Sequence, residues 1–421
     1  MLEHLASTLR EQCGLNQDKP IIAGVSGGPD SLCLMNVLRA AGYRVVVAHF
    51  NHKLRPDSDA DANTVEQAAG RLNLKWVIEN GDVRAFADAE KLSVEEAARI
   101  LRYRFLMKQA RRYNAQAVAV GHTADDQVET VLMHFVRGAG LAGLKGMSHR
   151  TIIHMFDAEI PIVRPLLDVW REETVVYCAA NGFRPRHDPS NASLDFFRNR
   201  LRHLLIPTLE SYNPRFRETV WRTSKSLAGD HEILLTVLDD ACKDVVTQET
   251  ANFVAFDVSA LTQQRLGLQR NLIRRAMEHL HPDNLDANYA TLERAAYFII
   301  DPERPTRMDL ARGLHLLREG SVIYVVEGHI TLPIERRSSH CRFPTRWSYR
   351  AGGSSVANAG ISPRWRSSRR ARTMIRFRYG WMRASFLTRW NSARGRRATV
   401  SSLSAWTGTS GPTSSAATPR S

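Results

Sequence analysis

The fold is decided at residues 19–31, KPIIAGVSGGPDS, and in the run SLCLMNVLRAAG that shares Ser31 and ends at Gly42. KPIIAGV is short and apolar, SGGPDS is made of turn formers, and the following run carries apolar residues at helical spacing. That order predicts strand, tight turn and helix. The alternation continues outward. YRVVVAHF (43–50) predicts a second strand, with a helix from about 57 to 72. LKWVIE (74–79) predicts a third strand and SVEEAARILRYRFLMKQARRY (93–113) a long amphipathic helix. AQAVAVGH (115–122) and DDQVETVLMHFV (125–136) predict a fourth strand and its helix. Strands alternating with helices imply an α/β fold with a doubly wound parallel sheet. Ligands of such sheets sit beyond the carboxyl ends of the strands. Here those ends carry SGGPDS, HFNH and GHTADD.

After Pro161 the pattern loosens into RPLLDV, a helix from Trp170 to Asn181, and a basic stretch through Pro207. Asn213-Pro214 is a chain breaker, which places a domain boundary near 212. Residues 213–335 are expected to form a smaller, mainly helical domain, closed by a hairpin over 314–326 that turns at Glu319-Gly320.

The chain has 421 residues, 58 Lys+Arg, 43 Asp+Glu and a formal net charge of +15. The charge is uneven. Residues 336–421 hold 18 Arg and five of the eight Trp, with no Lys, Asp or Glu, so residues 1–335 carry a net −3. A basic arm gripping nucleic acid is one reading of that tail. Its composition fits better with GC-rich DNA read out of frame, and an unstructured tail is expected. No stretch reaches the ~18 apolar residues of a membrane helix. MLEHLASTLREQ lacks the basic start and apolar block of a secretory signal. Cys13, Cys33, Cys178, Cys242 and Cys341 are scattered without a C-x-x-C pair, which argues against a disulfide framework or a cysteine zinc site and fits a reducing cytoplasm.

Ser26-Gly27-Gly28-Pro29-Asp30-Ser31 lies between a buried strand and a helix. Glycines let backbone approach phosphate, and N–H groups at a helix start favour anions. Pro29 suits the first helical turn, Ser26 and Ser31 add hydroxyls, and Asp30 suits a Mg²⁺ ion beside phosphates. A capped glycine turn is the bland alternative. No Lys follows the glycines as a kinase-type P-loop requires, and G-x-G-x-x-G is absent. SGGPDS after a first strand closely resembles the PP-loop of the ATP pyrophosphatases, an adenine nucleotide α-hydrolase-like fold. Seven further blocks follow in order: VAHFNHKLR (47–55), EEAARILRYRF (95–105), GHTADDQVET (121–130), RGAGLAGLKGM (137–147), VRPLL (163–167), DPSN (188–191) and FRNRLRHLLIP (197–207). Together they resemble the tRNA(Ile)-lysidine synthases, densely over 20–210 and more weakly to about 335.

The resemblance implies a two-step reaction on a tRNA(Ile) with a CAU anticodon. ATP adenylates the C2 oxygen of the wobble cytidine, and the ε-amine of free L-lysine then attacks C2 and expels AMP. It implies a nucleotide site at Ser26, Gly27, Gly28, Pro29, Asp30 and Ser31, with Asp30 as the candidate Mg²⁺ ligand. A homodimer is compatible with the sequence. At roughly 100° per residue, Val128, Val131, Leu132 and Phe135 form a buried helical stripe. Asp125 and Glu129 then fall together on its flank, with Asp126 farther round. These acids suit Mg²⁺, or the lysine ammonium groups and a proton; plain helix-dipole pairing is the alternative. His49, His52 and His122 leave strand ends and are candidates for the nucleotide rim, against a structural role. Arg102 belongs to a salt-bridged helix face or, by the resemblance, lies near substrate phosphate or base. From 184 to 202, Arg184, Arg186, His187, Arg198, Arg200 and Arg202 interleave with Phe196 and Phe197, a pattern suited to phosphate contact and base stacking. Arg198, Asn199 and Arg202 are the tRNA-binding candidates, and the catalytic candidates are Asp30, Arg102, Asp125, Asp126 and Glu129.

A PP-loop tRNA thiolase would also adenylate a base carbonyl. Such enzymes commonly use cysteines, and Cys33 lies on the apolar part of the first helix without a partner. A nonenzymatic RNA-binding protein working through its basic tail is the remaining alternative, and the near-neutral core speaks against it.

Overall fold

The computed structural model describes residues 2–54, 58–186, 193–282, 288–301 and 306–328. DPSN, His187 and the tail 336–421 lie outside the described residues.

The chain opens with α1 (Leu2–Ser7) and then reaches β1 (Ile21–Gly24), buried at Ile21, Ile22 and Ala23. Helix α2 (Pro29–Ala40), β2 (Val45–Asn51), α3 (Ser58–Arg71) and β3 (Lys75–Asn80) follow. Next come α4 (Val83–Glu90), α5 (Val94–Arg112), β4 (Val118–Val120) and α6 (Ala124–Val136). The sheet is completed by α7 (Leu141–Leu144), β5 (Arg150–Thr151) and β6 (Ile162–Val163), before α8 (Arg171–Ala180) packs back on α2. Strand order is β3-β2-β1-β4-β6-β5. Every pairing is parallel except β5 with β6.

Alternate residues explain why these strands read as continuous apolar runs. Ile21, Ala23, Val45 and Val47 face one core with Leu32, Met35 and Val65, while Ile22, Val46 and Ala48 face the other with Tyr103 and Leu106. A strand covered on both faces has no polar side to alternate. Each fully buried Leu or Ile contributes about 1.5–3 kcal/mol, so the two cores fix the register of β1. Gly24 packs closely at the end of β1, since an added Cβ there would lie 3.2 Å from Leu106 Cδ1. The strand order turns back at β1 and β4, and this is where a doubly wound sheet opens its ligand crevice.

Residues 197–212 are helical throughout: α9 (Phe197–Arg200), a widened π-type turn over Leu201–Leu205, and α10 (Ile206–Tyr212). Helix α11 (Phe216–Val245) is 30 residues long, about 45 Å at 1.5 Å per residue. Its first half packs on α6 and α7. Its last turns enter a second core, where Leu238, Ala241 and Val245 meet an antiparallel sheet ordered β7-β8-β11-β10-β9. That part contains β7 (Val246–Glu249), β8 (Phe253–Asp257), α12 (Val258–Gln263), α13 (Leu266–Leu280), α14 (Tyr289–Ile300), β9 (Arg307–Asp309), β10 (Leu314–Glu319) and β11 (Val322–Glu327). The hairpin expected at Glu319-Gly320 is present as β10 and β11. Strands β7 to β9 were not foreseen among the helices, because they are only three to five residues long. Among the described residues, no helix is long and apolar enough to cross a membrane.

Candidate active site

The PP loop is built from β1, its turn and the start of α2. Gly27 has φ 91°, a left-handed conformation that a side chain would strain. Gly28 is the N-cap of α2, Pro29 begins the helix, and no described side chain caps it. The first-turn N–H groups of α2 therefore lack a side-chain acceptor, which is the condition for holding an anion. The turn is braced internally. Ser31 Oγ donates to Gly28 O at 2.9 Å and accepts from Ser26 N at 3.1 Å. Arg186 N donates to Gly27 O at 3.1 Å, so the segment after α8 is fastened to the loop.

Strand β4 delivers Gly121 against this loop. A Cβ at Gly121 would stand 3.0 Å from the carbonyl carbon and oxygen of Asp30 and 3.1 Å from Ser31 N. The close approach requires glycine, and it sets His122 beside the start of α2. The Asp30 carboxylate is held on both sides: Thr174 Oγ1 donates to Oδ1 at 2.5 Å, and Arg171 Nη2 lies 3.6 Å from Oδ2. Burial raises the Asp30 carboxyl above its ordinary value, against the opposing pull of Arg171 and Thr174.

Helix α6 brings the acids in. Thr123 caps it: Asp126 Oδ2 accepts from Thr123 N at 2.9 Å. Asp126 Oδ1 accepts from Arg198 Nη2 at 3.0 Å. Glu129 is 1% exposed and receives Arg198 Nε on Oε2 and Arg202 Nε on Oε1, both at 2.6 Å. Burial pushes the Asp126 carboxyl up, but Arg198, His122, the Thr123 amide and Arg202 outweigh it and hold it below the usual range. Burial likewise disfavours the Arg198 cation, and Asp126 and Glu129 more than restore it. His122 is driven down to about 3, by burial first and then by Arg164, Arg198 and Arg102, against Asp126. Its ring is therefore neutral at physiological pH. His122 Nδ1 and Arg102 Nε are buried and find no partner among the described residues. Both Arg102 and Arg99 lay their guanidinium groups over the Tyr103 ring, at 5.3 and 5.0 Å.

His49 lies buried within β2 rather than leaving its end, and His52 follows the strand. His49 Nδ1 donates to Val25 O at 2.8 Å, which fixes its tautomer and leaves a buried Nε2 acceptor with no described partner. Burial lowers its pKa. The His52 ring stands edge-on to Phe50, with centroids 5.0 Å apart.

Two details of the α6 reading are corrected. Phe135 is 68% exposed rather than buried, because the apolar joint with residues 201–221 ends at Val128, Leu132 and Met133. Glu129 lies in the packed face rather than on its flank, because Arg198 and Arg202 neutralise it there. Asp125 parts from the other two acids. Its Oδ2 accepts from Arg171 N at 2.8 Å and its Oδ1 from Arg217 Nη1 at 3.0 Å. Asn199 is buried and donates to Ser193 O at 2.8 Å. Arg171, Thr174 and Arg217 were missed by sequence reasoning; nothing local distinguishes them, although the R-x-x-T spacing on α8 places the first two on one helix face.

Strand, glycine turn and a crevice at the β1–β4 reversal define a PP-loop protein, and residues 1–209 match the PP-loop domain family. The chain is 36% identical to the tRNA(Ile)-lysidine synthase of Dehalococcoides mccartyi (strain CBDB1) over 66% of its own length and 60% of that protein. It is 32% identical to the tRNA(Ile)-lysidine synthase of Geobacter sulfurreducens, covering 82% of this chain and 72% of that one. The enzyme of that name from Geobacillus kaustophilus is also 32% identical, over 76% and 69%. The chain belongs to the tRNA(Ile)-lysidine synthase family. The matched region spans 60% of the Dehalococcoides relative's length. Among solved structures, the U34-tRNA thiolase NcsA from Methanococcus maripaludis superposes with a TM-score of 0.44 at 16% identity, over 54% of this chain and 78% of that one.

Proposed function

We propose that this chain joins L-lysine to C2 of the wobble cytidine in the isoleucine tRNA with anticodon CAU, converting ATP to AMP and pyrophosphate. Family membership supports the reading. The observation that carries it is the juxtaposition on one rim of an uncapped PP loop with the buried cluster Asp126, Glu129, Arg198 and Arg202. In the first step the cytidine O2 attacks the α-phosphate and pyrophosphate leaves. The α2 N–H groups and the Ser26 and Ser31 hydroxyls would hold the departing phosphates. In the second step the lysine ε-nitrogen bonds to C2, the C2–O bond to AMP breaks, and the amine loses a proton.

Asp126 and Glu129 suit the cationic substrate as carboxylates that Arg198 and Arg202 hold in fixed orientation. The neutral His122 ring and the Arg102 Nε–H each offer a buried polar atom toward a base or phosphate. Arg198 and Arg202 act in this scheme through the carboxylates they hold. The part of the chain from 213 to 335 would receive the tRNA body. Among the described residues no three His, Cys, Asp or Glu side chains gather to cage a metal. Asp30 beside the loop instead fits a Mg²⁺ ion shared with ATP phosphates, since that ion takes one or two carboxylates and keeps its waters. Such an ion would neutralise phosphate charge.

Sulfur transfer finds no support. Cys13, Cys33 and Cys178 are buried, and burial raises all three thiols, Cys178 to about 11. Buried unpaired thiols and a tRNA substrate suit a reducing cytoplasm. The reading is tested by incubating the chain with ATP, Mg²⁺ and tRNA(Ile) without lysine. Pyrophosphate and an adenylated tRNA are expected, and lysine added afterwards should release AMP. Formation of ADP and phosphate would sink the proposal.

A further inference from the structure

We propose that Asp125 and Arg171 are positioning residues that hold the Asp30 carboxylate and fasten it, through Arg217, to helix α11. The proposal rests on the adenylation reading above. It starts from a run of contacts that leaves the PP loop and ends on the C-terminal part. Arg171 Nη2 lies 3.6 Å from Asp30 Oδ2, and the Arg171 backbone N donates to Asp125 Oδ2 at 2.8 Å. Asp125 Oδ1 accepts from Arg217 Nη1 at 3.0 Å, and Arg217 Nε donates to Glu210 Oε1 at 2.6 Å. A residue from each of α2, α8, α6, α11 and α10 is thereby joined in one polar line.

The chemistry of the line is specific. Thr174 Oγ1 donates to Asp30 Oδ1 at 2.5 Å and Arg171 faces Oδ2, so the orientation of the carboxylate depends on where α8 holds these two side chains. Arg171 is the first residue of α8, so its orphan N–H needs an acceptor, and Asp125 supplies one from α6. Asp125 is occupied by α8 and α11, whereas the arginine partners of Asp126 and Glu129 come from residues 198–202. Arg217 lies in the first turn of the helix that enters the second core, so movement of α11 bears directly on Asp125. Asp125 therefore acts on Asp30 through Arg171. In the adenylation reaction this ties presentation of the loop carboxylate to the seating of α11.

The test uses the full chain and follows tRNA-dependent pyrophosphate release with ATP and tRNA varied separately. Asp125→Asn keeps an acceptor for Arg171 N but loses the charge facing Arg217; Arg217→Gln loses the same link from the other side. Each is expected to lower kcat about tenfold or more, with the KM for tRNA within about twofold of the parent. The double variant should be no worse than the poorer single one, because both break one link. Arg217→Lys should recover at least half of the loss, which also covers the event that Arg217→Gln folds badly. Additive effects, an unchanged kcat, or a change confined to the KM for tRNA would overturn the proposal. Parent chain that releases no pyrophosphate would instead defeat the adenylation reading, so the two failures are distinguishable.

Discussion

Arg198 Nε donates to Glu129 Oε2 at 2.6 Å, and the carboxylate that receives it is 1% exposed. A carboxylate so deeply placed is stable only because Arg202 takes its other oxygen, also at 2.6 Å. The cluster welds the 197–205 helical turn to α6. Removing one member of a buried ion pair leaves an uncompensated charge and costs about 3–5 kcal/mol. Glu129→Gln should therefore lower the unfolding free energy by about 3 kcal/mol, because it leaves Asp126 alone to answer two guanidinium groups. Arg202→Gln should cost clearly less, since Arg198 still answers Glu129. Urea titrations of the two variants compare them directly, and equal losses would contradict this division.

The sequence carried the nucleotide half of this arrangement and little of the other. SGGPDS lies in one contiguous stretch, and its strand, turn and helix are local consequences of apolar spacing and of Gly and Pro. Glu129 reads as an acid on the flank of a helix stripe because its partners come 69 and 73 residues later. Helical geometry supplies the angle of Glu129 but not the two arginines that make burial tolerable. Arg217 is more remote, 92 residues from Asp125, and looks like any charged residue at the start of an amphipathic helix. The short strands β7 and β9 fail for another reason: too few residues show a period of two, and their pairing partners are distant.

Gly121 offers a sharper probe of the loop than any polar residue. An alanine Cβ would lie 3.0 Å from Asp30 backbone atoms, inside the distance at which carbon and backbone sit without strain. The neighbours are main-chain atoms of a helix start, which cannot swing away as a side chain does. Gly121→Ala should displace the first turn of α2 and raise the KM for ATP about tenfold or more, with the KM for tRNA little changed. Steady-state kinetics measure this, and an ATP KM equal to the parent's would show that the two backbones separate without consequence.

Asp30 should trade stability against activity. Its folded-state carboxyl is raised, chiefly by burial. A group raised in this way contributes stability below its unfolded value and loses that contribution as pH rises through the folded value. At pH 8 its charge is therefore a burden on the fold. Asp30→Asn keeps an acceptor for Thr174 Oγ1 and removes the buried charge. It should abolish pyrophosphate release while leaving the thermal midpoint at pH 8 equal to or above the parent's. A clear drop in that midpoint would mean that the Arg171 pair outweighs the burial of the carboxylate.

His149 gives the acid limb of stability a definite sign. Its Nε2 donates to Asp168 Oδ2 at 3.1 Å, yet burial, with Lys225 and Arg164 adding to it, drives the ring down from 6.5 to about 4. A base lowered on folding contributes stability above its unfolded value, and that contribution is lost as pH falls toward the folded one. The window is therefore from pH 6.5 down to about 4, where the unfolded chain takes up a proton that the folded chain refuses. Between pH 7 and pH 5 this one group should cost the fold about 2 kcal/mol. His122, at about 3, and His231, at about 4, tilt the curve the same way. His149→Gln retains a donor toward Asp168 but does not titrate. Its unfolding free energy should fall less than the parent's between these two pH values, by about the same 2 kcal/mol. Urea unfolding at both pH values measures the difference, and identical losses in parent and variant would remove His149 from the acid response.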